Sequence, residues 1–151
     1  MSEVLANFER LISEDSSVGL FRINRQMFTD REIFEHEMKA IFESGWIFVA
    51  HEAQIPEPFD FITTRIGRVP VIINRLDDGT VGGILNTCAH RGATLEQVKC
   101  GNRRRFTCPF HAWTYASDGR LLSCGDTEKA GYGPGFHKEH HGAMPVGRVE
   151  S

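Results

Sequence analysis

Cysteine is scarce in this sequence: Cys88, Cys100, Cys108 and Cys124 are the only four among 151 residues. That number excludes a disulfide-framed secreted scaffold and, in a reducing compartment, leaves metal ligation or free thiols. The gaps between them hold 11, 7 and 15 residues, so the C-x4-C-x2-C spacing of a plant-type ferredoxin is absent as well. Net charge is small. Seventeen Lys and Arg against 20 Asp and Glu give −3, which makes no global case for nucleic acid or an anionic membrane as partner. The start, Met1-Ser2-Glu3, lacks the basic and apolar segments of a secretory signal. The longest strongly apolar run, residues 46–50, is far too short to span a bilayer. There are no internal repeats and no low-complexity stretches. These absences together predict a cytoplasmic protein with no membrane segment.

What is present falls into two parts. Val4, Leu5, Phe8, Leu11 and Ile12 recur at helical spacing and predict a helix over residues 3–13, with a loop at 14–17. A second helix is marked by Thr29 and Glu32 as a capping box. Its apolar stripe is Ile33, Phe34, Met38, Ile41 and Phe42, and Gly45 ends it. From residue 46 the period becomes that of strands, predicted at 46–51, 59–66, 69–74, 81–86, 105–108, 113–115 and 121–124. Asp77-Asp78-Gly79 and Ser117-Asp118-Gly119 carry turn chemistry, and residues 130–145, rich in Gly and His, read as loop. The expected architecture is mainly β: a short helical N-terminal lead-in, residues 1–45, then an antiparallel β domain, residues 46–151.

The chemistry lies in two strings, Cys88-Ala89-His90-Arg91-Gly92 and Cys108-Pro109-Phe110-His111. Each is a loop between strands that offers one thiolate and one imidazole. A Rieske-type 2Fe–2S cluster takes two cysteines on one iron and two histidines on the other, so paired loops of this kind suit it. Gly92, Gly101 and Pro109 are expected to let the loops turn tightly. Structural zinc is the alternative for two Cys and two His. Its usual spacing, however, pairs Cys with Cys and His with His rather than one of each per loop. Cys100 and Cys124 stand outside the pattern and read as ordinary thiols. His137, His140 and His141 read as a solvated loop, with a second metal site as the alternative, and His36 and His51 as structural. Arg103-Arg104-Arg105 with Lys99 is either a solvated face or a dock for an acidic electron donor.

The whole string resembles the Rieske domain of aromatic ring-hydroxylating oxygenase large (α) subunits. That family's pattern is C-x-H-R-G, eight residues, G-N, five residues, C-P-[YF]-H-G-W. Here it runs through Cys88, His90, Arg91, Gly92, Gly101, Asn102, Cys108, Pro109, Phe110, His111 and Trp113, with Ala112 in place of the usual Gly. The resemblance covers most of residues 28–151, including Gly131-Tyr132-Gly133. Within the family, the stretches 67–71 and 125–136 are most similar to the benzoate, toluate and anthranilate dioxygenase branch.

This resemblance implies that Cys88, His90, Cys108 and His111 bind a 2Fe–2S cluster. It further implies that the chain relays electrons from an NADH-dependent reductase or a ferredoxin to a non-haem Fe(II) site. In the intact enzyme α-subunit oligomers, and in some cases a β subunit, are implied, and aromatic hydrocarbons catabolism is the implied role. The family's D-x2-H-x4-H core for the non-haem iron has no match here, so no catalytic residues are assigned. The chain is expected to be a C-terminally truncated piece without ring oxidation of its own. A stand-alone Rieske ferredoxin-like carrier is the other reading, which the helical lead-in disfavours. High-potential Rieske proteins carry an extra Cys in each ligand loop and a Ser after the second His. Ala93, Phe110 and Trp113 occupy those places here, which implies a midpoint of roughly −150 to 0 mV.

Overall fold

A computed structural model describes residues 8–125 and 131–151. The start of the first expected helix and part of the 125–136 stretch lie outside the described residues. The chain divides into two compact units, Met1–Ile47 and Phe48–Ser151. No helix among the described residues is long and apolar enough to cross a membrane.

Of the first expected helix, the described residues show one 3-10 turn, Phe8–Leu11, and its last two positions open a hairpin instead. Strand β1 (Ile12–Asp15) pairs antiparallel with β2 (Leu20–Ile23), in register Ile12↔Ile23 to Asp15↔Leu20. The local cause is the turn. The Asp15 carboxylate accepts from the Ser17 N–H (3.1 Å) and hydroxyl (2.6 Å), and Gly19 takes a φ of 64°. Both strands are exposed along their length, so no alternation of apolar and polar residues marked them.

After a short α1 (Gln26–Thr29) comes α2 (Arg31–Glu37). Its cap is Asp30, not Thr29. The Asp30 carboxylate accepts from the N–H groups of Glu32 (2.8 Å) and Ile33 (3.2 Å), while the Thr29 hydroxyl donates back to the Arg25 carbonyl. The helix continues as a π turn, Met38–Phe42. Gly45 closes it because a Cβ there would meet the Ile41 carbonyl oxygen at 2.8 Å. Of the expected apolar stripe, Ile33 and Met38 are buried, whereas Phe34, Ile41 and Phe42 are exposed.

The second unit is mainly β. Residues 46–51 form no strand. Instead His51 caps a 3-10 turn, Glu52–Gln54, its Nδ1 accepting from the Ala53 N–H at 3.1 Å. One sheet has the order β5-β4-β3-β6 and is antiparallel throughout. It comprises β3 (Asp60–Ile66), β4 (Val69–Arg75), β5 (Val81–Leu85) and β6 (Cys100–Asn102). The second sheet joins β7 (Arg105–Thr107), β8 (Trp113–Ala116) and β9 (Leu121–Cys124) in that order. Sequence reasoning missed β6. Gly101 in it does not turn a loop: it faces Phe61 in the ladder, and its hydrogen leaves room for that ring, which a Cβ would approach to 3.1 Å.

Alternation along β3 and β4 feeds two cores. Phe61 and Ile72 join Ile84, Leu95, Phe106, Trp113, Tyr115 and Leu121 between the sheets, whereas Ile62, Val71 and Ile73 pack with Ile55 on the opposite face. The first sheet is therefore buried on both sides, which is why β4 reads as a nearly continuous apolar run. Phe61 meets Phe106 edge to face at 5.3 Å and locks one sheet on the other. Residues 143–146 run beside β5 through an Ile84↔Pro145 bridge, and Lys138–His140 is a single 3-10 turn in what sequence predicts as plain loop.

Candidate metal centre

Two loops of the same backbone design bring the site together. In the first, after β5, the Gly92 N–H donates to the Cys88 carbonyl (2.8 Å) and the Cys88 N–H to the Ala93 carbonyl (2.7 Å). In the second, between β7 and β8, the Ala112 N–H donates to the Cys108 carbonyl (3.1 Å) and the Cys108 N–H to the Trp113 carbonyl (2.8 Å). Gly92 (φ 73°) and Ala112 (φ 55°) hold equivalent left-handed positions. The residue that departs from the family pattern is thus the one whose backbone calls for glycine.

The loops face one another across a cavity of about 230 Å3 lined by Cys88, His90, Arg91, Ala93, Cys108, Phe110 and His111. All four expected ligand residues line it. Cys88 and Cys108 are buried, His90 is half-buried and His111 is exposed. The imidazoles meet edge to face with centroids 4.8 Å apart. Desolvation first, then the neighbouring Arg91 guanidinium and His111 ring, holds His90 below its ordinary pKa. That favours the neutral imidazole, the form that ligates metal.

Among the described residues no three His, Cys, Asp or Glu side chains converge closely enough to hold a single metal ion. A lone tetrahedral zinc asks for four donors on one centre, whereas a two-iron group draws on them two at a time. Two buried sulfurs and two imidazoles on the walls of one cavity fit the second demand.

Cys100 and Cys124 are free thiols that do not line the cavity. His137 and His140 stand 5.7 Å apart by ring centroid, with Glu139 3.6 Å from His137, and form no metal-holding group. Two of the four cations in the basic patch have partners. Arg103 pairs with the buried Glu96 at 3.1 Å, and Arg104 lies 4.5 Å over the Phe59 ring.

Three residues of the site were not singled out by sequence. The buried Tyr115 hydroxyl accepts from the Ala89 N–H (3.0 Å) and stands 3.2 Å from Cys88 Sγ. Its hydrogen is therefore free to point at the sulfur. Burial, and then the contact with Cys88, push its phenol well above the ordinary value, so it stays protonated. Asn86 clasps the far side of the first loop: Oδ1 accepts from the N–H groups of Leu95 (3.1 Å) and Glu96 (2.8 Å), and Nδ2 donates to the Glu96 carbonyl (2.8 Å). The Glu96 carboxylate in turn accepts from the N–H groups of Gln97 and Val98. Only the position of Asn86, at the end of a strand just before Cys88, could have hinted at this.

The chain is also similar to known proteins. The Rieske [2Fe-2S] domain model matches residues 45–131. The toluate 1,2-dioxygenase subunit alpha of Pseudomonas putida is 47 % identical over 144 residues, which is 95 % of this chain and 32 % of that protein. The anthranilate 1,2-dioxygenase large subunit of Acinetobacter baylyi is 49 % identical over 122 residues, 76 % of this chain and 26 % of that protein. A solved naphthalene 1,2-dioxygenase with indole bound superposes with a TM-score of 0.82 at 40 % identity, covering 93 % of this chain and 30 % of that one. The chain spans about a third of the length of the curated relatives it matches.

Proposed function

Because the chain belongs to the Rieske [2Fe-2S] domain family, we propose that Cys88 and Cys108 hold one iron of the cluster, that His90 and His111 hold the other, and that the protein passes single electrons. The observation that carries this reading is the pair of matched loops, each setting one thiol and one imidazole on the wall of the same cavity. When bound, the cluster supplies one-electron redox chemistry. The residues do the rest. Burial of both sulfurs keeps water from the thiolates, and Tyr115 offers a hydrogen bond to one of them. The imidazoles reach the surface, so electrons would enter and leave on that side.

The relatives point to the setting: an aromatic ring-hydroxylating dioxygenase α subunit, with an aromatic carboxylate as the substrate class and an NADH-dependent reductase or ferredoxin as donor. The acceptor would be a non-haem iron, for which these 151 residues carry no matching ligand motif. The match to the toluate enzyme takes in 95 % of this chain, more than the β unit alone, which favours this over a stand-alone carrier.

Reconstitution with iron and sulfide tests the ligand set. The expected result is about two irons and two sulfides per chain and a Rieske-type EPR signal on reduction. His90→Ala and His111→Ala should each abolish the signal, and Cys100→Ser and Cys124→Ser should leave it intact. Loss of the signal in Cys100→Ser, or zinc in place of iron in the purified protein, would sink the assignment.

A further inference from the structure

The indole of Trp113 lies flat on the imidazole of His90, with centroids 4.9 Å apart and planes 11° from parallel. Trp113 is buried at the head of β8, and its Nε1–H donates to the Tyr132 hydroxyl at 3.1 Å. Tyr132, Phe136 and His141 all stand edge-on to it, at centroid distances of 6.0, 5.9 and 6.0 Å. Phe136 is itself stacked between Tyr132 (4.4 Å) and His141 (4.6 Å), so the rings that surround the indole brace one another. His90 also packs edge to face with His111, with centroids 4.8 Å apart. The two imidazoles are therefore unequal: His90 is half-buried with the indole stacked on it, and His111 is exposed.

The torsion that turns an imidazole about its stem is soft and roughly two-fold, so something outside the side chain must choose the plane of a ligating ring. In most metal sites a hydrogen bond from the second ring nitrogen does so. Here a flat face is supplied, and that face is oriented by a directional bond. Filling the core requires volume alone. A near-parallel stack with its indole N–H anchored on a hydroxyl is more than volume requires, because aromatic pairs hold preferred relative geometries that an aliphatic filler does not impose.

Resting on the ligand assignment above, we infer that Trp113 is a positioning residue for His90: its indole face sets the plane of the imidazole, and the Tyr132 hydroxyl sets the indole.

Pulsed EPR of the reduced, reconstituted full chain reads the nitrogen couplings of coordinated imidazoles one by one. The unaltered chain should show two. Trp113→Leu, which keeps apolar bulk and removes the flat face, should shift and broaden one coupling and leave the other in place. Trp113→Phe should bring that coupling back toward its original value. Tyr132→Phe, which leaves every ring present, should disturb the same coupling less. Two couplings unchanged in Trp113→Leu, or both altered alike, would overturn the inference and make Trp113 a core residue. If Trp113→Leu takes up no iron, Tyr132→Phe decides: a change in one nitrogen supports the anchor, and an unchanged spectrum overturns it. Fewer than two nitrogen couplings in the unaltered chain would overturn the ligand assignment and this inference with it, whereas two couplings that no variant alters overturn the inference alone.

Discussion

At Tyr115 a single hydroxyl separates the potential implied by family resemblance from the one the site should show. The comparison with high-potential relatives removes a serine donor, because Trp113 takes its place and spends its N–H on Tyr132. Tyr115, from the same strand, stands 3.2 Å from Cys88 Sγ with its hydrogen free for the sulfur, a contact that spacing alone does not reveal. A thiolate can only accept, and the phenol's raised pKa keeps its proton available. Tyr115→Phe should therefore destabilise the reduced cluster more than the oxidised one and lower the midpoint, by roughly 40 mV if the differential is about 1 kcal/mol. Voltammetry on the loaded protein checks this, and an unchanged or higher midpoint would show that the hydroxyl does not donate to sulfur. Ala112 is a second decisive residue. It takes the conformation that Gly92 takes in the sister loop, at a steric cost of about 1 kcal/mol for an L residue. Ala112→Gly should raise the melting temperature slightly, by about 1–3 °C, because relief of strain outweighs the added freedom of the unfolded chain. A Cβ on Gly92 would meet nothing within 4 Å, so Gly92→Ala should cost about 1 kcal/mol through backbone strain alone. Thermal melts of the pair that moved in the same direction would contradict the equivalence of the two loops.

Among the elements, the first ligand loop depends on a clasp that has nothing to do with metal. Asn86 ties the end of β5 to Leu95 and Glu96 through three hydrogen bonds, and Glu96 ties on through Arg103 and the backbone of residues 97–98. Asn86→Ala would leave two N–H groups and a carbonyl without partners in a buried place. The expected loss is about 2–4 kcal/mol, with iron uptake falling in step because Cys88 and His90 sit on the loop so held. Asn86→Asp keeps the acceptor and loses the donor, and should fall between the two. Denaturant unfolding with iron analysis measures both. Full iron content in Asn86→Ala would separate the clasp from the site.

For the molecule as a whole, Cys88 and Cys108 are members of the core between the two sheets. A group bound by them adds its binding free energy to the stability of that core. Removing iron with a chelator should therefore lower the melting temperature. Amide exchange should rise over residues 88–93 and 108–113 and stay unchanged in the Ile12–Asp15 and Leu20–Ile23 hairpin, which belongs to the other unit. Equal loosening of both units would mean that the cluster acts on the fold generally rather than through the core its ligands belong to.

Order along the chain set out the donor pattern on which the proposed chemistry rests. The spacing of Cys88, His90, Cys108 and His111 is a pattern of donors along the chain, and it is readable because ligand identity depends on residue type and order. The longer strands were legible for a similar reason: β3 and β4 bury side chains on both faces, and burial writes itself into composition. The exposed hairpin, the strand β6 and the Asp30 cap were not, since short exposed strands carry no alternation and two polar candidates for one cap differ only in backbone dihedrals. Tertiary structure alone decided which rings and polar groups surround the donors. Tyr115 reaches Cys88 across 27 positions and Trp113 reaches Tyr132 across 19, distances that no local pattern spans. They meet because the two sheets close on a shared core, and closure of that kind depends on packing in three dimensions rather than on the order of residues.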